Sequence, residues 1–184
     1  MRSRSLLALT ITVLTALAVW AQPTIRTFGD RDWAIELPAG YKYEKSAKPT
    51  NESMTVAWAP EARTDKTRPI LQVTLYNAAD GGRSEKFAPA FAQSAIDGVK
   101  KHRTDWKLET TTARLGELTV TRYAWSGVAK ATVAGVTVSI PERGVMLVGA
   151  DRGLGFALHA QDAAKYADQT LPAGEKALRS FRLD

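Results

Sequence analysis

The chain has 184 residues, of which 45% are apolar and 24% charged, values that are ordinary for a globular protein and unlike those of a disordered tail. The absence of cysteine excludes a disulfide scaffold, a thiol nucleophile and a thiolate metal site. The net charge of +6 is a mild excess of mixed charges, and no basic stripe with stacking aromatics indicates nucleic-acid binding.

The first 21 residues have the three-part layout of a secretory signal peptide. Arg2 and Arg4 give a positive start, residues 6–20 form an uncharged apolar run, and Ala21 is a small residue suited to cleavage. The alternative is an uncleaved anchor, although a spanning helix needs about 20 apolar residues. We expect a signal peptide over 1–21, a mature domain over 22–184 that does not span the membrane, and a secreted or periplasmic location.

Alternating apolar residues predict strands in the first half of the mature chain. Trp33 leads one such strand, which ends at a Pro- and Gly-containing turn at residues 38–40. The same period returns at residues 54–58 and 71–76, on either side of a polar loop. Trp33 and Trp58, which two of these strands carry, are expected in the core.

A helical period replaces the strand period from about Ser84 to Val99. Apolar residues at i, i+3 and i+4 place a stripe along one face, and the cations of residues 100–103 suit the helix end. A second helix is predicted at the C-terminus. We expect it to begin near Pro172 and Gly174, because proline is poorly tolerated inside a helix.

The segments between the two helices are β-prone, at residues 108–115, 118–125, 136–140, 145–148 and 154–158. Gly153 ends a four-residue tight turn that favours a hairpin. Neighbouring strands this close are antiparallel, because parallel crossovers need a dozen or more residues. The sequence therefore predicts a single α+β domain, with a twisted antiparallel sheet of six or seven strands flanked by two main helices as an α/β/α sandwich.

Both ends of the mature chain resemble PsbP-like proteins. Residues 32–41 (DWAIELPAGY) have the aromatic residue, alternating strand, Pro and Gly turn and second aromatic residue that open such domains. Residues 177–182 (ALRSFR) resemble the last helix of this family, which commonly closes on a Ser-Phe pair. The resemblance implies an exported bacterial member with an antiparallel sheet between helices. It implies no common set of catalytic residues, metal ligands or partner contacts.

Catalytic motifs are scarce in this sequence. A hydrolase would use His159 as a base, Asp162 to orient it and Ser126 as the nucleophile. Ser126 lacks the Gly-x-Ser-x-Gly elbow, and a plainer interpretation is that His159 ends a strand and Asp162 caps the next element. We therefore expect no catalytic residues, no cofactor and no metal site.

Three neighbouring residues, Arg122, Tyr123 and Trp125, are the candidate binding residues. Tyr123 and Trp125 share one face of their predicted strand, whereas Arg122 interrupts the apolar face behind them. An open sheet face would allow these side chains to contact a ligand. If helices cover both faces, the two aromatic residues belong to the core and only Arg122 needs an explanation.

The sequence thus favours an exported, non-enzymatic binding or interaction module of the cell envelope. Its partner is an unknown protein or envelope component and not a nucleic acid. The basic residues 100–103 allow a weak contact with an anionic surface, or they simply form a solvated helix end. The alternative function is an extracytoplasmic hydrolase with a site that the fold assembles around His159.

Overall fold

The computed structural model describes residues 24–28, 31–44, 52–78, 86–133 and 135–184, and the predicted signal peptide lies outside them. The described residues form ten strands and two helices. In chain order these are β1 (Thr24–Phe28), β2 (Arg31–Ile35), β3 (Lys42–Glu44), β4 (Glu52–Trp58), β5 (Ile70–Asn77), α1 (Phe87–Lys100), β6 (Arg103–Leu115), β7 (Leu118–Val133), β8 (Val136–Asp151), β9 (Leu154–Ala163), α2 (Ala164–Arg179) and β10 (Arg182–Leu183).

Seven of the strands form the main sheet, in the order β3-β4-β5-β9-β8-β7-β6, and every neighbouring pair is antiparallel. Two-residue turns make this pairing possible at two hairpins. Gly116 has a φ of 58° between β6 and β7, and Arg152 and Gly153 have φ values of 44° and 82° between β8 and β9. The predicted antiparallel sheet and the turn at Gly153 are therefore confirmed.

A second sheet, in the order β1-β2-β10, holds the strand that Trp33 leads. Trp33 is 2% exposed, and its ring centroid lies 6.1 Å from that of Phe181. Phe181 also contacts Phe156 of the main sheet at 5.3 Å. These aromatic rings join the small sheet to the main one, and the prediction that Trp33 lies in the core is confirmed.

Trp58 is only half-buried, so the core prediction for this residue is wrong. In β4 the buried side chains are Thr55 and Ala57, which point to the opposite face of the strand. Met54, on the same face as Trp58, is 41% exposed. The guanidinium of Arg68 lies 4.4 Å from the centre of the Trp58 ring and covers it instead.

Helix α2 is longer than the sequence predicts. It begins at Ala164 and not near Pro172, which lies inside it. Pro172 is exposed, where a missing backbone hydrogen bond is least costly. Gly174 is buried, and a Cβ atom there would lie 3.0 Å from Cβ of Ala160, so glycine lets the helix pack closely on the sheet. This packing outweighs the low helix propensity of both residues.

The two helices cover opposite faces of the main sheet. α1 packs mainly on the strands from β6 to β9, and Pro89 falls in its first turn, where it is tolerated. α2 packs on β8 and β9 from the other side, next to the three-stranded sheet. Neither helix among the described residues is long and apolar enough to cross a membrane. α1 leaves the same face of the sheet uncovered over β4 and β5, and a groove lies there beside the helix.

Candidate functional site

A groove of about 710 Å³ lies between α1 and the main sheet. Side chains alternate along a strand, so every second residue of β5 and β9 faces it. These floor residues include Gln72, Thr74 and Tyr76 of β5, with His159 and Gln161 of β9. The volume falls within the range of roughly 300–1,000 Å³ that small-molecule sites occupy.

One end of the groove is aromatic. The rings of Tyr76, Phe87 and Phe91 lie 6.0–6.3 Å apart between centroids, with interplanar angles of 23–27°. A Cβ atom on Gly155 would lie 3.0 Å from Phe91 and 3.1 Å from Phe87. Glycine at this position of β9 therefore lets both rings of α1 settle against the sheet.

The other end of the groove contains His159, which is 4% exposed. The indole Nε1–H of Trp125 donates a hydrogen bond of 3.1 Å to Nε2 of His159. Because Nε2 accepts this bond, the neutral ring carries its proton on Nδ1. Burial, together with the nearby charge of Arg103, lowers the pKa of His159 to about 3. The imidazole is therefore neutral at physiological pH.

Arg103 closes this end of the groove, and each of its three guanidinium nitrogens donates at least one hydrogen bond. It donates to the carboxylate of Glu142, to the amide oxygen of Gln161 and to the carbonyl of Val99, at 2.7–3.0 Å. It also lies 4.5 Å from the centre of the Trp125 ring. The charge of Arg103 is thus compensated by Glu142, and its geometry is fixed.

No sequence motif marks Arg103 or Gln161 as a site residue. Arg103 belongs to the basic run of residues 100–103 that is predicted to end a helix, but its side chain is only 10% exposed, because Arg103 begins β6 and its side chain turns inward. Lys100, Lys101 and His102 are exposed, as expected for a helix end. The available signal was the alternation in β9, which places Gln161 on the same face as His159.

The candidate binding residues Tyr123 and Trp125 lie beneath α1, where they are 7% and 4% exposed. Trp125 stacks on Trp106 at 5.3 Å and lies over Gly144, where a Cβ atom would come within 2.5 Å of the indole. This placement favours the core interpretation for both aromatic residues. Trp125 does not line the groove itself, but its indole is hydrogen-bonded to His159, which does.

Arg122 faces the opposite side of the sheet and has a partner in α2. Two of its nitrogens donate to the Glu175 carboxylate at 2.9 Å, and Arg179 binds the same carboxylate at 2.8 Å. The hydrogen bond from Arg122 lowers the pKa of Glu175. This ion pair explains why a cation lies on an otherwise apolar strand face. A binding role for Arg122, Tyr123 and Trp125 stays a prediction.

The structure does not assemble the hydrolase site that the sequence left open. His159 and Asp162 point to opposite faces of β9, because their positions along the strand differ by three, an odd number. Both carboxylate oxygens of Asp162 are occupied: Arg63 donates at 2.7 and 2.8 Å, Thr170 at 2.7 Å and the Ala163 amide at 2.8 Å. Asp162 therefore cannot orient His159.

The interpretation that His159 ends a strand and Asp162 caps the next element is also wrong, because β9 continues to Ala163. Ala163 occupies the N-cap position of α2, without a side-chain cap. Asp162 instead accepts hydrogen bonds from Arg63 and from Thr170 of α2. It therefore holds the loop that contains Arg63 close to α2. No group of three or more potential metal ligands occurs among the described residues.

No protein-family model and no curated protein sequence matches this chain. Several solved structures match it in fold, among them the following two. The cyanobacterial PsbP of Synechocystis has a TM-score of 0.56 and 14% identity, over 96% of this chain and 99% of that one. LpqN of Mycobacterium tuberculosis, described as involved in cell envelope biogenesis, has a TM-score of 0.53 and 13% identity, over 88% and 90%. The chain therefore has a PsbP-like fold, as the resemblance of its two ends predicts.

Proposed function

We propose that this protein is an exported, non-enzymatic binding module of the cell envelope, and that its ligand lies in the groove between α1 and the main sheet. The observation that carries the proposal is the composition of the groove. An aromatic wall meets neutral hydrogen-bonding side chains within one concavity of about 710 Å³, the combination that small-molecule sites share.

The state of His159 supports a binding role and not a catalytic one. General acid–base catalysis needs a group with a pKa near the operating pH. The pKa of His159 is lowered to about 3, and its Nε2 already accepts a hydrogen bond from Trp125. No hydroxyl nucleophile is hydrogen-bonded to it within the described residues. The groove thus offers recognition without a poised base.

An envelope location is supported by two independent features. The first 21 residues have the pattern of an export signal. One of the proteins that shares the fold, LpqN, is described as involved in cell envelope biogenesis. Fold similarity alone is a weak argument for function, so the location requires a direct test.

The test is to express the protein with its own leader and to purify it without denaturation. We expect recovery from the extracytoplasmic fraction, an N-terminus at Gln22, and an envelope compound that mass spectrometry detects in the purified sample. Gly98→Leu should reduce the recovered compound at least tenfold, because Gly98 lines the groove and a Cβ atom there has no atom within 4 Å.

The matched control is Gln93→Leu, which places the same side chain on an exposed position of α1 outside the groove lining. It should leave the recovered compound unchanged. Removing a glycine from the interior of α1 favours the helix, so lost binding in Gly98→Leu would not reflect unfolding. Equal recovery from both variants would contradict the proposal, as would a protein retained in the cytoplasm.

A further inference from the structure

We infer that the groove selects an uncharged ligand with an aromatic body and a hydrogen-bonding end. This inference rests on the proposed function and names the chemical class of its ligand. Three features carry it: the compensation of charge in the lining, the aromatic cluster at one end and the carboxamides at the other.

The first feature is charge. Of the described residues that line the groove, Arg103 and Glu52 are the charged ones. Arg103 is paired with Glu142 at 2.7 Å and has a side chain only 10% exposed, whereas Glu52 is exposed, so water screens its charge. His159 is buried and neutral. An anionic ligand would therefore lose its hydration without gaining a free cation, and a cationic ligand would gain only the hydrated carboxylate of Glu52.

The second feature is the aromatic cluster of Tyr76, Phe87 and Phe91. All three ring centroids lie 6.0–6.3 Å from one another with interplanar angles of 23–27°, so the rings form a compact aromatic patch that an aromatic ligand can contact. The thioethers of Met54 and Met146 also line the groove and suit contact with an aromatic ring. These side chains favour a planar apolar body.

The third feature is the pair of carboxamides at the floor. The Gln72 amide donates to the Thr74 hydroxyl at 3.0 Å, which directs the Gln72 carbonyl oxygen to other donors. The Gln161 carbonyl accepts from Arg103 at 3.0 Å, which leaves its NH₂ group to donate. One acceptor and one donor, both neutral, therefore suit an uncharged polar end on the ligand.

Two fluorescent probes test this inference because they share an anilinonaphthalene body and differ in charge. N-phenyl-1-naphthylamine is neutral, and 8-anilinonaphthalene-1-sulfonate carries a sulfonate. We expect the folded protein, expressed with its own leader, to bind the neutral probe at least tenfold more tightly. Gly98→Leu should weaken binding of the neutral probe at least tenfold, and Gln93→Leu should leave it unchanged.

A second variant tests the effect of charge separately from the effect of groove volume. Gln72→Lys places an uncompensated cation on the groove floor and should shift the preference toward the sulfonated probe by at least tenfold. Thermal unfolding of each variant checks that the fold is retained. Equal binding of the two probes by the unmodified protein would overturn the inference. The inference would also fail if the neutral probe did not bind, or if Gly98→Leu left its binding unchanged.

These failures can be separated from failure of the proposed function. If the probes contradict the inference while Gly98→Leu still loses the envelope compound, the groove is a binding site for another chemical class. If Gly98→Leu affects neither the probe nor the envelope compound, both the inference and the proposed function are wrong.

Discussion

The indole of Trp125 and the imidazole of His159 form one buried unit, joined by a hydrogen bond of 3.1 Å that spans strand β8. Trp125 lies on β7 and His159 on β9, with β8 between them. The bond fixes the neutral tautomer of His159 and holds it at the groove floor. It also leaves the protein sensitive to acid, because a protonated ring could no longer accept this hydrogen bond.

The free energy of unfolding should decrease as the pH is lowered, because of His159. The folded protein holds the pKa of His159 at about 3, against 6.5 for the free side chain. The unfolded chain therefore binds a proton first as the pH falls below 6.5, and acid favours unfolding. The contribution is about 1.4 kcal/mol for each pH unit between these two values.

Urea unfolding of the unmodified protein and of His159→Gln measures this effect. Between pH 7.5 and pH 4.5, the unmodified protein should lose about 2–3 kcal/mol more than the variant, which has no imidazole to protonate. The carboxylates titrate in both proteins and cancel in the difference. Parallel pH profiles would show that His159 does not carry the predicted shift.

The buried carboxylate of Asp162 in β9 should be far more important for stability than an exposed carboxylate on the following helix, α2. Its side chain is 0% exposed, and its loss would leave Arg63 and Thr170 without their partner. Asp162→Ala is expected to cost about 3–5 kcal/mol. Asp168, which is 83% exposed and pairs with Arg143, is the control, and Asp168→Ala should cost at most about 1 kcal/mol. Similar losses in chemical denaturation would refute this account of the network.

Two tryptophans should differ in their contribution to stability. Trp33→Ala is expected to lower the free energy of unfolding by about 3–5 kcal/mol, because Trp33 packs between the two sheets against Phe181. Trp58→Ala should cost less, since Trp58 is half-buried and contacts Arg68 at the surface. Denaturant midpoints of the two variants provide the comparison, and a Trp33→Ala midpoint equal to that of the unmodified protein is incompatible with the described core.

The purified protein should not hydrolyse generic ester, phosphate or glycoside substrates. His159 lacks an orienting carboxylate, because Asp162 faces the other side of β9 and is held by Arg63. The comparison uses His159→Ala, with thermal unfolding to confirm its fold. Reproducible turnover by the unmodified protein that disappears in this variant would make His159 catalytic.

Local patterns predicted the architecture well. The alternation around Trp33 and the positive φ expected at Gly153 depend on neighbours in the sequence, and both predictions are confirmed. The start of α2 was missed because close packing of Gly174 on Ala160 is a tertiary contact that overrides the local preference of Pro172.

The candidate site was less predictable for a related reason. Trp125, His159 and Arg103 lie on three different strands, and only the strand order places them together. The pattern for β4 favoured the wrong face, that of Met54 and Trp58, because which face of a strand is buried depends on what packs against it. The groove itself depends on where α1 crosses the sheet, which no local pattern specifies.

The most direct measurement is a ¹H–¹⁵N correlation spectrum of the labelled protein, titrated with a solvent extract of its own envelope. The indole signal of Trp125 can be assigned by its absence in Trp125→Phe. We predict that the largest shifts occur at this indole and at the amides of Gly98 and Gln161. Shifts centred on Arg122 and Glu175 across the sheet, or no shifts at all, would contradict ligand binding in the groove.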